Sequence, residues 1–205
     1  MGEKGSDRGE TIKGQIVAAA KKRFSHFGYG KTTMAEVASD CGMSPGNLYR
    51  FFPGKLDIAE AIATADFEKR LAQQRGFARQ TGKSAPEKLA DLLFDELRST
   101  YHQLEKDPRV FEMARVIAAE RPSFGNWILE NQRRILVEIL EEGGAQGEFY
   151  VRDKLFTAEM IQSATMKFHY PQLFSQLTLS KLERELDGVL QLLLTGLRAR
   201  VPAPA

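Results

Sequence analysis

Apolar side chains recur at three- and four-residue steps along nearly the whole of this 205-residue chain, and no credible alternating strand appears. That pattern restricts the chain to an all-α fold, because a period near 3.6 gives a helix a stripe to bury and gives a strand none. Ile12, Ile16, Ala20, Phe24 and Phe27 mark a first helix that Gly28 stops. Thr33, with Glu36 three residues on, has the capping-box pattern of a short second helix over TMAEVASD ending at Gly42. Ser44 caps a third, with Pro45 in its first turn and Leu48 and Phe52 as an i, i+4 apolar pair. Further helices are expected from Lys55 to Arg79, Pro86 to Lys106, Pro108 to Arg121, Pro122 to Glu142 with a stop at Gly143-Gly144, Lys154 to His169, and Lys181 to Arg200. That makes about nine. Residues 201–205, VPAPA, are expected to be a disordered tail.

A hydrophobic content of 42% is enough for a sizeable core. The single cysteine, Cys41, excludes an internal disulfide and a cysteine-cluster zinc site. No run reaches the roughly 18 apolar residues of a membrane span, and MGEKGSDRGE lacks the apolar core of a secretion signal, so a cytoplasmic protein is expected. The net charge of +2 is unevenly spread. Residues 1–55 hold nine Lys or Arg against five Asp or Glu, and residues 56–205 hold twenty against twenty-two. A basic N-terminal quarter suits a partner that is a polyanion.

Two short helices joined by a tight glycine-containing turn form a helix-turn-helix, whose second helix places its N-terminal residues on base edges in the DNA major groove. CGMSPGNLYRFF, residues 41–52, fits that requirement. Pro45 and Gly46 keep the helix start slim, so that backbone and DNA approach closely. The Asn47 amide is placed to pair with adenine N6 and N7, and Ala35 and Pro45 to touch a thymine methyl. Ser44 caps the reading end, the Tyr49 hydroxyl and the Lys55 ammonium suit phosphate oxygens, and Arg50 either contacts DNA or is solvated.

With these signals in their order, FSHFGYGKTTMAEVASDCGMSPGNLYRFFPGKLDI resembles the TetR, or tetracycline-repressor-like, family of transcriptional regulators. GGAQGEF resembles the segment that follows the family's seventh helix. The resemblance implies a phosphate contact at Thr33, base-facing positions at Pro45, Gly46 and Asn47, and phosphate contacts at Tyr49 and Lys55. Phe51 stands where the family frequently has histidine. The implied architecture is a three-helix DNA-binding head over residues 8–54 and a larger helical domain over 55–200, which dimerises through its last two long helices and encloses a small-molecule pocket.

On the last helix, Leu182, Leu186, Val189, Leu193 and Leu197 form one stripe and Leu190 lies beside it, more apolar surface than one intramolecular face needs; these six are the expected dimer interface. Phe94, Tyr101, Met113, Ile117, Trp127, Met160, Met166, Phe168, His169 and Tyr170 are the candidate pocket lining, since methionine and aromatic rings with a few polar tips suit a mostly apolar molecule. His102, His169 and Glu159 have no metal-ligand spacing, so neither metal nor cofactor is expected. No phosphate loop, nucleophile elbow or H-E-x-x-H occurs, which argues against an enzyme. The expected partners are operator DNA, a small-molecule effector and a second copy of the chain. The alternative is a dimeric architectural or protein-recruiting factor with no small-molecule ligand.

Overall fold

The computed structural model describes residues 3–106, 109–169 and 177–198. Among them it has nine helices and no strand: α1 (Glu3–Phe27), α2 (Met34–Asp40), α3 (Pro45–Tyr49), α4 (Lys55–Ala78), α5 (Ala85–Lys106), α6 (Val110–Glu120), α7 (Pro122–Ala145), α8 (Lys154–His169) and α9 (Leu179–Arg198). The expected tail at 201–205 and the pocket candidate Tyr170 lie outside the described residues. The all-α class holds, and so do most helix ends. Gly28 takes φ +91° after α1, a left-handed value that glycine adopts without strain.

The expected stop at Gly143-Gly144 is corrected: α7 runs through both glycines to Ala145. Its C-terminus is a Schellman motif built around Gly147, whose φ is +73°. The Gly147 N–H donates to the Gly144 carbonyl at 3.3 Å and the Glu148 N–H to the Gly143 carbonyl at 2.8 Å. Gly143 serves packing instead. A Cβ there would lie 2.3 Å from the Phe149 ring and 2.9 Å from Ala85 Cβ, so the missing side chain is what lets Phe149 bury itself to 2% exposure.

The chain forms two compact units, residues 1–69 with 107–125, and residues 70–106 with 126–205. The division expected at 54/55 is therefore not where the compact units part. Helices of seven and five residues have little apolar surface, and α2 and α3 alone with α1 cannot close a core. Ile58, Ala59 and Ile62 of α4 and Met113 and Ile117 of α6 complete it, packed with Ile16, Phe24, Val37, Leu48 and Phe52. Met113 and Ile117, expected in a pocket, belong to this core, 8% and 2% exposed.

In the second unit α9 packs against α5 and α8. Of the expected dimer residues, Leu182, Leu186, Leu190 and Leu197 are buried inside the single chain, with exposures of 6% or less, and Val189 and Leu193 are half-buried. This corrects the assignment for those four buried leucines. A stripe at helical spacing reports a buried face without saying whether its partner is the same chain or another copy. Leu192, at 76% exposure, lies on the opposite side of α9.

Candidate nucleic-acid interface

The turn between α2 and α3 is set by its caps. The Thr33 hydroxyl accepts from the Glu36 N–H at 3.3 Å, and the Glu36 carboxylate accepts from the Thr33 N–H at 2.8 Å, the reciprocal capping box. At α3 the Ser44 hydroxyl accepts from the Asn47 N–H at 3.3 Å with Pro45 in the first turn. Leu48 is fully buried, which fixes the rotation of α3 about its axis. Ser44, Pro45, Gly46, Tyr49 and Arg50 are thereby left exposed on one short element, with Asn47 half-buried among them. The Asn47 side-chain amide makes no hydrogen bond to any described residue. Ala35 and Thr33, at the start of α2, are exposed as well.

Electrostatics separate the basic residues of this unit. Arg23 is held by Asp40, with one guanidinium N–H donating to the carboxylate at 2.9 Å, and lies 3.3 Å from Glu36. Asp40 is held below the usual carboxylate range chiefly by its hydrogen bond from Arg23, and Glu36 chiefly by the Thr33 backbone N–H. Lys31 and Arg50 stay exposed, with no ion pair to a described residue.

Lys55 and Thr33 differ from the simple phosphate contacts expected of them. Lys55 Nζ donates to the Tyr29 carbonyl at 2.7 Å and the Thr32 carbonyl at 2.8 Å, and it lies 4.4 Å from the centre of the Tyr29 ring. Two of its three protons are thus engaged inside the protein, and burial pulls its pKa down. The Thr33 hydroxyl donates to Glu36 at 2.8 Å, so its proton is already committed. Phe51 is half-buried against the core, so it packs where a polar ring would reach outward.

Sequence patterns did not single out how α6 braces this surface. Arg109 donates to the carbonyl of Ser25 at 2.8 Å and also to that of His26, at the C-terminal end of α1. Glu112 accepts from the Gly30 N–H at 2.8 Å, and a Cβ on Gly30 would stand 2.6 Å from that carboxylate oxygen. Arg121 reaches Asp57 at 2.8 Å and Glu60 at 3.7 Å on α4. These pairings join residues 61 to 84 positions apart, and no local spacing signals them.

The pocket candidates do not converge. Met160 and Met166 are exposed on α8, Phe168 is buried, and Trp127 and Tyr101 are half-buried. Phe94 is half-buried beneath the Arg98 guanidinium, 5.3 Å from its ring centre. Of the nine described candidates only His169 lines a narrow cavity in the second unit, between α5, α7, α8 and the end of α4. Cys41 is half-buried, packed on the first unit's core, and burial pushes its thiol pKa up, which suppresses nucleophilic character. Among the described residues no group of three metal-ligating side chains occurs, and no helix is long and apolar enough to cross a membrane.

Short α2, a turn at Gly42, and α3 with its reading end exposed define a helix-turn-helix DNA-binding protein. Residues 85–190 match the family "Tetracyclin repressor-like, C-terminal domain", and residues 16–62 match "Bacterial regulatory proteins, tetR family". The chain belongs to the TetR family of transcriptional regulators. It is 36% identical over 61 residues to the HTH-type transcriptional regulator UidR of Escherichia coli, a match that covers 30% of this chain and 31% of that one. It is 26% identical over 137 residues to the HTH-type transcriptional repressor KstR2 of Mycolicibacterium smegmatis, covering 66% of each. The chain therefore matches about a third of the length of the first relative and about two thirds of the second. Among solved structures, Thermus thermophilus FadR, a TetR-family repressor in complex with lauroyl-CoA, superposes with a TM-score of 0.67 at 21% identity over 94% of this chain and 99% of that one. At that identity the likeness concerns the fold.

Proposed function

We propose that the protein is a cytoplasmic repressor that binds a palindromic operator as a homodimer and is released by a small-molecule effector. The observation that carries the DNA reading is the Asn47 side chain, which sits among exposed Pro45, Gly46 and Tyr49 with its amide unused inside the protein. In this proposal Asn47 pairs with a base edge, Ala35 and Pro45 meet a thymine methyl, and Ser44, Tyr49, Arg50 and Thr33 lie along the phosphates. Lys55 has one N–H left for a phosphate and otherwise fixes the loop at 29–32.

The dimer face moves from the buried stripe of α9 to its far side. Gly188, Leu192 and Gly196 fall one turn apart on that side, and no side chain approaches either glycine. Phe156 and Met160 are exposed on α8, on the side opposite buried Ile161, Thr165 and Phe168. Small residues flanking a large apolar one let two helices approach closely, and isologous pairing of this face covers its exposed apolar groups. Support for effector release comes from α4, whose first part belongs to the unit carrying the DNA-facing residues and whose last part lines the cavity of the other. A helix shared in this way passes on a displacement, and the coupling is reciprocal, typically about 5- to 150-fold in affinity. The repressor name of the relative KstR2 agrees with repression as the resting role.

The test is base selection. Asn47→Ala should relax preference at one operator position per half-site, lowering affinity for the matched site by about 10- to 100-fold and for random DNA hardly at all. An equal loss on both DNAs would remove Asn47 from base reading.

A further inference from the structure

Gln74, near the end of α4, is 1% exposed, and neither its Nε2 nor its Oε1 has a hydrogen-bond partner. A buried amide left unpaired at both ends is costly, so Gln74 calls for a partner that the described protein groups do not supply. Gln74 lines the narrow cavity of the second unit, facing Glu96, Gln132, Gln162, Thr165 and His169. Each of the other polar residues there makes at least one polar contact within the protein. Glu96 Oε1 accepts from Gln132 Nε2 at 2.5 Å and lies 2.9 Å from His169 Nδ1. Gln162 donates to the Leu129 carbonyl at 2.9 Å and accepts from Arg133 at 3.0 Å, and Thr165 donates to the Ile161 carbonyl at 2.8 Å. Leu92, Leu93, Ile135 and Leu136 supply the apolar wall.

We propose that this cavity is the effector site and that its occupant is a small uncharged molecule with an apolar body and one head carrying a donor and an acceptor side by side, as in a carboxamide or lactam. The proposal rests on effector release as read above and adds the chemical class. Gln74 presents one donor and one acceptor, and an amide edge answers both at once. An anionic head is disfavoured, because a carboxylate, Glu96, lines the cavity and no lysine or arginine does. A cationic head would compete with His169 and Gln132 for a carboxylate they already hold. A purely apolar molecule would leave Gln74 unpaired. The cavity is narrow, so an occupant larger than a water parts α4 from α5, α7 and α8, which is the displacement that release requires.

Hexanamide, hexanoate and hexylamine, equal in chain length and different in head, test this on the full chain by thermal shift and calorimetric titration. Hexanamide should raise Tm and the other two should not. Gln74→Leu, close in volume, should weaken hexanamide binding by about tenfold or more. Should Gln74→Leu fail to fold, the order of the three probes on the unaltered chain decides alone. Equal shifts from all three, no shift from hexanamide, or unchanged hexanamide affinity in Gln74→Leu overturns the proposal. Operator affinity with and without hexanamide separates the two ideas. Binding through Gln74 that leaves operator affinity unchanged keeps the site and overturns release by it, whereas release by a compound indifferent to Gln74 keeps release and overturns the site.

Discussion

Lys55 shows how one side chain acquires a second role. A cation at a helix N-terminus opposes the helix dipole, and a nearby DNA phosphate is one way to offset that. Here the offset is internal, through two carbonyls and an aromatic face. Lys55→Met should therefore lower stability by about 1–3 kcal/mol, because the Tyr29 and Thr32 carbonyls lose their donor. Urea midpoints check this; a residue serving phosphate alone would leave the midpoint unmoved and shift only the salt slope of DNA binding, by about one unit. Glu36 and Asp40 set a pH dependence. Both carboxylates have folded pKa values below their ordinary ones, so the unfolded chain binds protons first as acid is added. Their stabilisation is complete above about pH 4 to 5 and is lost as the pH falls through the lowered folded values. Asp40→Asn should flatten the acid limb of a plot of Tm against pH. The capping box of Thr33 and Glu36 was legible in the sequence because its partners are three residues apart. The Lys55 carbonyl clamp was not, because it depends on a loop folding back 23 to 26 residues.

Helix α7 carries a paired experiment on adjacent glycines. Alanine is about 1 kcal/mol better than glycine in a helix interior, other things equal. At Gly144, where the nearest foreign atom to a new Cβ is 4.0 Å away, Gly144→Ala should gain up to that amount. At Gly143 the new atom would collide with Phe149 and Ala85, so Gly143→Ala should lose about 1–3 kcal/mol despite the same propensity. Calorimetric Tm values of opposite sign relative to the parent are the expected result. Sequence alone reads a double glycine as a stop, since propensity is local, and only the seating of Phe149 shows that one of the two is a packing device. Pro122 and the Lys154 helix start were legible for the complementary reason, that their signals are local.

For the whole molecule the dimer face is the sharpest test. Leu192→Glu places a charge on a residue already 76% exposed, so the single chain should keep its helix content and sediment as a monomer. Leu186→Glu, at a site with no exposure, should instead unfold the second unit. Retention of the dimer in Leu192→Glu would place the face elsewhere. The sequence carried the fold class and the capped turn between α2 and α3 because both rest on short spacings, and it misread the buried leucines of α9 and Met113 and Ile117 because apolar periodicity does not name the surface it meets. The way α6 closes the first core has a consequence for synthesis. Residues 1–69 are synthesised before residues 107–125, and the 37 residues from Arg70 to Lys106 intervene. At about 5–20 residues per second, the nascent head waits roughly 2 to 10 seconds, until Ile117 is made, with the seat of Met113 and Ile117 uncovered. That interval makes it a candidate client for chaperones, and a head grafted onto another chain needs α6 carried with it.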